Sequence, residues 1–316
     1  MPAARRPALP AIVFVALAAA LWGTDALFRR GLALDLPASV VVFYEHLFLT
    51  LATLPLLARV PWRRIRWTPR VVASLLLIGV GASATATFLF TMAFRYGDPT
   101  TPLLLQKLQP LIAIAAAWFL LGERPRVRLG GFAAVAILGA YLISLPDPLQ
   151  VSVSALAPAL LAVGAAVLWG LGTVLGRGMS TTFRPSELTA LRFAIGLPAS
   201  ATVLLIDEGA AGFGMVQSGD LPALLALAAV PGLLALRLYY KGLSGTPASA
   251  ATLAELAFPL TAIVINRVAF GTTLTATQWV GMGLLAGTLV VLSRLSQRGY
   301  DAVGVEADPP APALQR

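Results

Sequence analysis

Ionisable side chains inside long apolar segments are the residues of this sequence whose types could do chemistry. They are Asp25, Glu45, His46, Lys107, Arg192, Arg237 and Glu255. In segments that cross a lipid bilayer, such groups are costly and usually face a cavity or a partner. Because imidazole titrates near neutral pH, Asp25, Glu45 and His46 could relay protons. The alternative is that His46 only hydrogen-bonds to a neighbour.

Composition excludes several other kinds of site. The chain has 316 residues, no cysteine and one histidine, which excludes disulfide scaffolds, thiolate metal sites and multi-histidine metal centres. A phosphate-binding loop with the pattern G-x-x-x-x-G-K-[ST] is absent, and Glu45 and His46 are adjacent and so point to different faces of a helix. We therefore expect no metal, no cofactor and no enzyme activity.

The hydropathy of the chain indicates whether it folds in water or in a membrane. Residues of hydrophobic type make up 58% of the chain, only 12% are charged, and the mean hydropathy is +0.83. Soluble domains carry about 25% charged residues, so the sequence predicts a multi-pass membrane protein. The net charge of +9 does not indicate nucleic acid, because the basic residues lie at the ends of apolar runs. The apolar runs predict ten spans, at residues 10–28, 38–58, 71–94, 100–121, 128–145, 156–175, 186–206, 221–240, 248–266 and 277–294.

The basic residues predict the orientation. With a cytoplasmic N-terminus, 16 of the 23 Lys and Arg residues fall on the inner side. Both termini are therefore expected to be cytoplasmic, with the protein in the cell (inner) membrane. Arg29, Arg30 and Arg237 are expected to extend to the membrane interface.

An internal repeat divides the chain into two halves. LWGTDALFRRG at 21–31 recurs as LWGLGTVLGRG at 168–178, with Trp22 and Gly23 matching Trp169 and Gly170. Because each copy holds five predicted helices, an odd number, the second copy must cross the membrane in the opposite direction. The sequence thus predicts an all-α integral membrane protein of ten transmembrane helices in two inverted five-helix repeats. We expect a cytoplasmic N-terminus at 1–9, repeats at 10–145 and 156–295, a linker at 146–155, and a disordered cytoplasmic tail at 296–316.

These motifs resemble those of the drug/metabolite transporter superfamily, EamA type. The similarity covers about residues 10–295 and includes the W-G near the start of each unit, the G-x-P turn before the fourth helix, and the L-G-E-R that closes that helix in the first unit. Thr272 replaces the closing Glu in the second unit. The resemblance implies export of amino acids, other metabolites or toxic compounds.

Lys107 and Glu255 occupy equivalent repeat positions with opposite charges. They could bind the two ends of a zwitterion or lock alternating gates. Alternatively, each is paired within its own half, Lys107 with Glu45 or Asp25, and Glu255 with Arg192. Counting along the helices places Lys107 in an outer cluster and Glu255 in an inner one.

Tryptophan and proline residues complete the candidate site. Trp22 and Trp169 are expected to line a cavity, with an interfacial position as the alternative. Pro110 and Pro259 interrupt matched helices and are candidate hinges, or kinks required only for packing. The polar residues Gln106 and Thr252 lie on the same segments.

The sequence predicts a secondary-active or facilitative exporter of a small polar metabolite, such as an amino acid, by alternating access. Efflux of toxic, amphipathic compounds by proton antiport is an alternative, and an intramembrane enzyme or a channel is another. The expected partners are the substrate, membrane lipid and, in the antiport alternative, protons. The oligomeric state is left open.

Overall fold

The computed structural model describes residues 11–96, 99–121, 129–144, 153–179, 182–243, 254–255 and 257–301. Every regular element within these ranges is helical, and the elements form ten helices. Seven of them are long and apolar enough to cross a membrane. The helices are α1 (Ala11–Asp35), α2 (Ala38–Leu57), α3 (Pro69–Tyr96), α4 (Thr100–Leu120), α5 (Leu129–Ser144), α6 (Val153–Met179), α7 (Pro185–Glu208), α8 (Leu221–Gly242), α9 (Ala257–Phe270) and α10 (Ala276–Asp301).

Several helices are interrupted. Helix α1 consists of Ala11–Gly23 and Asp25–Asp35, and between them the hydroxyl of Thr24 donates to the Leu21 carbonyl at 2.7 Å. Helix α4 contains a 3-10 turn at Gln106–Leu108. Such departures from α-helical hydrogen bonding mark positions where a helix bends.

The third helix of each half widens into a π-helical segment. In α3 the segment is Leu77–Thr85, and in α8 it is Ala228–Leu234. The two begin 151 residues apart, close to the spacing of the repeat. Pro231 lies within the second segment and lacks the amide needed for regular α-helical bonding. The repeat is therefore visible in helix geometry as well as in sequence.

The two halves interleave through equivalent helix pairs. Helix α1 packs against α8 and α9 of the second half, while α6 packs against α3 and α4 of the first. Helix α2 packs against α7, and α5 packs against α10. The contacts of α1 with α8 and α9 are equivalent to those of α6 with α3 and α4, because each helix is replaced by its counterpart in the other half. Two repeats related by a pseudo-two-fold axis show this pattern.

Glycines allow the halves to approach closely. A Cβ atom on Gly139 of α5 would lie 2.8 Å from the Gly281 carbonyl of α10, and one on Gly281 would lie 2.6 Å from the Gly139 carbonyl. A Cβ atom on Gly23 of α1 would lie 2.7 Å from the Phe258 carbonyl of α9. Small residues at such crossings let helix backbones meet in a membrane.

Replacing Gly281 with alanine is expected to destabilise the protein by about 1–3 kcal/mol, because the added methyl group collides with the α5 backbone. Gly283 lies on the same helix, and a methyl group added there would have no neighbouring atom within 4 Å, so Gly283→Ala is the matched control. Denaturant unfolding of the purified protein in detergent measures both. Equal stability of the two variants would contradict the close α5–α10 contact.

Candidate functional site

A buried network joins α1, α2 and α3 through Arg29. The Arg29 guanidinium binds both oxygens of Asp25, at 2.7 and 2.9 Å, and both oxygens of Glu45, at 2.8 and 3.0 Å. It also donates to the Thr91 hydroxyl at 2.7 Å. Asp25 and Arg29 are one helical turn apart, which places both on the same face of α1.

This network corrects two expectations. Arg29 was expected at the membrane interface, but its side chain is only 4% exposed. Asp25 and Glu45 were offered as partners of Lys107, but both bind Arg29. Counting along a helix gives the depth of a residue but not the direction in which it faces, which explains both errors.

His46 belongs to a separate contact. Its Nδ1 atom lies 2.9 Å from the Val42 carbonyl and must donate to it, so Nε2, 2.9 Å from the Ser83 hydroxyl, accepts in a neutral ring. Ser83 lies in the π-helical segment of α3. The hydrogen bonds of His46 go to Val42 of its own helix and to Ser83 of α3, and neither reaches Asp25 or Glu45. The relay among Asp25, Glu45 and His46 stays a prediction.

Arg192 of α7 also holds this π-helical segment. Its Nη2 atom donates to the Ala82 carbonyl at 2.8 Å, while its Nε atom is buried and has no hydrogen-bond partner among the described residues. Arg192 was offered as a partner of Glu255, whose carboxylate instead accepts from Tyr239. The π-helical segment of α3 is thus bound from two neighbouring helices. His46 of α2 contacts it at Ser83, and Arg192 of α7 contacts it at Ala82.

Two aromatic pairs occupy equivalent positions in the halves. Trp22 of α1 and Tyr239 of α8 have ring centroids 5.0 Å apart, and Trp169 of α6 and Phe90 of α3 have centroids 5.1 Å apart. The tryptophans are separated by 147 residues, and their partners by 149. Phe258 of α9 packs in the same apolar cluster as Trp22, Phe90 and Trp169. Both tryptophans are therefore half-buried between the halves, and the prediction that they line a cavity stays a prediction.

Lys107 and Glu255 lie close to this aromatic cluster. The Lys107 Nζ atom is 4.1 Å from the centroid of the Phe258 ring, a distance at which a cation is attracted by the ring face. The Tyr239 hydroxyl donates to Glu255 Oε1 at 2.8 Å. Within the residues that the structure describes, the two side chains form no direct ion pair, but both adjoin Phe258, whose backbone amide donates to the Glu255 carbonyl at 3.0 Å. Both therefore lie beside the same aromatic cluster, while their assignment to an outer and an inner cluster stays a prediction.

The remaining candidates fall around Lys107. It lines a small cleft with Pro259 of α9, Ile143 of α5 and Met282 of α10. Gln106 is half-buried in the 3-10 turn of α4. The α-helical geometry resumes at Gln109, and Pro110 is the second residue of that part of the helix. Thr252 lies outside the described residues. The roles of Pro110 and Pro259 as hinges stay predictions.

Sequence reasoning missed Phe90, Tyr239, Phe258 and the inward position of Arg29. The repeat carried a signal for two of them: applying its spacing to the third helices aligns Phe90 with Tyr239, one aromatic residue with another. Phe258 directly precedes the matched Pro259. Nothing in the sequence pattern indicates which carboxylates Arg29 binds.

Interleaved inverted repeats with buried charges and aromatic rings between them define a membrane transporter with internal structural repeats. Residues 9–145 and 156–294 each match the EamA-like transporter family, and the chain belongs to this family. It is therefore a multi-pass membrane protein from a family of transporters rather than enzymes, and the resemblance inferred from the motifs is confirmed.

Relatives match most of the chain. The Riboflavin transporter ImpX of Fusobacterium nucleatum subsp. nucleatum is 28% identical over 295 residues, covering 90% of this chain and 97% of the relative. The Uncharacterized inner membrane transporter YicL of Salmonella typhimurium is 25% identical over 234 residues, covering 71% of this chain and 74% of the relative. A solved crystal structure superposes with a TM-score of 0.60 at 20% identity, covering 91% of this chain and 98% of that chain, and supports the fold alone.

Proposed function

We propose that this transporter exports a small polar metabolite with an apolar or aromatic portion, such as an amino acid, by alternating access. The observation that carries the proposal is the pair of opposite charges, Lys107 and Glu255, beside an aromatic cluster between the two halves. Such an arrangement complements a zwitterion. The carboxylate of the substrate would bind Lys107, and its amine would bind Glu255.

Neighbouring groups support these roles. Tyr239 donates to one oxygen of Glu255, which orients the carboxylate and leaves its other oxygen as an acceptor. The Phe258 ring holds the Lys107 ammonium without neutralising it. The half-buried ring of Trp22 offers apolar surface to a substrate side chain, and the buried Phe258 packs in the same cluster.

Alternating access follows from the exchange of equivalent contacts. In one state α1 would separate from α8 and α9, and in the other α6 would separate from α3 and α4. The break at Thr24, the 3-10 turn of α4 and the two π-helical segments supply the positions at which these helices bend. We further propose that the protein lies in the inner membrane with both termini in the cytoplasm. The Salmonella relative is named as an inner membrane transporter, which supports the location.

A flat heteroaromatic substrate is a second candidate. The Fusobacterium relative is named as a riboflavin transporter. Paired rings such as Trp22 with Tyr239, and Trp169 with Phe90, could stack on a planar ring system. Proton antiport is compatible with either substrate class, with Asp25 and Glu45 as the carboxylates that would accept protons.

Counterflow in proteoliposomes tests the proposal. Vesicles containing the purified full chain are loaded with an unlabelled amino acid or with riboflavin, and uptake of the labelled compound is followed. We expect saturable counterflow with zwitterionic amino acids, and an imposed pH gradient reports whether protons drive it. Linear, unsaturable flux would indicate a channel, and counterflow with riboflavin alone would favour the second candidate.

A further inference from the structure

The loop between α2 and α3 presents a cluster of arginines on a folded support. Five arginines occur within residues 59–70, and all are exposed: Arg59, Arg63, Arg64, Arg66 and Arg70. Within the part of the chain that the structure describes, none of them forms an ion pair. Val60 and Ile65 of the same loop are buried and pack with Met179 and Phe183 from the end of α6 and the loop after it. The loop is thus fixed to the helices, and its positive charges are held at one place on the surface.

Two stacked indole rings stand between these arginines. Trp62 and Trp67 have ring centroids 6.0 Å apart and planes inclined by 16°. The indole nitrogen of Trp62 donates to the Leu57 carbonyl at 3.2 Å, and that of Trp67 donates to the Trp62 carbonyl at 3.4 Å. Both rings are nearly half exposed, and their orientation is fixed by these bonds. Tryptophan in this position is typical of the boundary between lipid headgroups and acyl chains.

An apolar groove of about 270 Å³ begins at these rings and runs between the two halves. Leu57, Val72 and Leu76 line it from the first half, and Leu191, Ala194 and Ile195 of α7 line it from the second. The described residues that line the groove are all uncharged, whereas Arg63 and Arg66 directly adjoin the two tryptophans in sequence. The basic loop therefore adjoins an apolar groove, and the two indole rings belong to both.

We propose that this surface binds an anionic phospholipid, with the phosphate headgroup at Arg63 and Arg66 and an acyl chain in the groove beneath Trp62 and Trp67. The charge complementarity identifies the occupant: a zwitterionic lipid would fill the groove equally well but would leave five unpaired cations beside it. Basic clusters at the membrane surface attract anionic lipids, by roughly fivefold in affinity for each charge. Because the groove is lined by both halves, the bound lipid bridges them and stabilises their contact.

Thermal unfolding of the full chain in detergent tests the proposal. Phosphatidylglycerol and phosphatidylcholine with identical acyl chains are titrated separately, and the unfolding temperature is followed. We expect phosphatidylglycerol to raise this temperature more than phosphatidylcholine does. In Arg63→Gln/Arg66→Gln, about 30-fold more phosphatidylglycerol should be needed for the same rise, because two of the cations are lost.

The control variant removes the same charge elsewhere. Arg95 and Arg267 are exposed near the C-terminal ends of α3 and α9, away from the loop, so Arg95→Gln/Arg267→Gln should respond to phosphatidylglycerol like the wild type. Inorganic phosphate alone should give no rise, because it cannot occupy the groove. The proposal is overturned if the two lipids act alike on the wild type, if both variants respond equally, or if phosphate reproduces the whole effect.

Discussion

Replacing Arg29 with methionine is expected to lower the free energy of unfolding by about 3–5 kcal/mol, because it leaves the carboxylates of Asp25 and Glu45 buried without their counter-charge. The Arg29 guanidinium donates five hydrogen bonds, and their acceptors lie on three helices. Denaturant unfolding in detergent, followed by loss of helical circular dichroism, measures the change.

Arg30 provides the matched control. It is the next residue on the same helix, and its guanidinium carbon lies 4.6 Å from the centroid of the Phe270 ring. Arg30→Met loses this cation–π contact, which contributes about 0.5–2 kcal/mol. Neutralising the orphaned acids in the triple variant Arg29→Met/Asp25→Asn/Glu45→Gln should restore part of the lost stability. Similar losses in the Arg29 and Arg30 variants would show that the network does not stabilise the fold.

The ten helices and their division into two halves could be predicted from the sequence, because both follow from the lengths of apolar runs and from the repeated W-G motif. Helix ends were less accurate. The first span was expected to end at residue 28, whereas α1 continues to Asp35. The buried pair of Asp25 and Arg29 explains the difference, since two charges that neutralise each other let a buried helix continue through a polar segment.

The partners of the charged residues could not be predicted. Periodicity assigns a residue to a depth in the membrane, but which way it faces depends on how two helices from different halves cross. Glu255 illustrates this. Its depth suggested Arg192, yet α8 places the Tyr239 hydroxyl 2.8 Å from its carboxylate, and Arg192 faces the backbone of α3. The π-helical segments were also invisible, because Leu77–Thr85 reads as an ordinary apolar helix.

The aromatic pairs are conserved in type between equivalent positions of the two halves, whereas the charges are not. Trp22 with Tyr239 and Trp169 with Phe90 form two equivalent aromatic pairs, each joining one half to the other, so the apolar surface is nearly symmetric. Lys107 and Glu255 break the symmetry, since equivalent positions carry opposite charges. Under the proposed mechanism, a symmetric wall with an asymmetric pair of charges would give a substrate one preferred orientation and would let the same helices open towards either side.

Replacing Lys107 or Glu255 with glutamine is therefore expected to reduce transport of a zwitterionic substrate at least about tenfold, since a hydrogen bond to a charged group contributes about 1.5–3 kcal/mol. Initial rates of counterflow in proteoliposomes measure the effect, and thermal unfolding confirms that each variant is folded. Arg237→Gln and Asp35→Asn remove one exposed charge of each sign and should transport like the wild type.

Substrate analogues separate binding from gating. If Lys107 binds the carboxylate, Lys107→Gln should not reduce transport of an amine that lacks a carboxylate. Likewise, Glu255→Gln should not reduce transport of an acid that lacks the amine. An equal reduction for every analogue would instead mean that the two residues lock the helices against each other, and wild-type rates in both variants would exclude them from transport. The analogue series therefore tests the contact itself, because only a residue that touches the substrate can respond to the group removed from it.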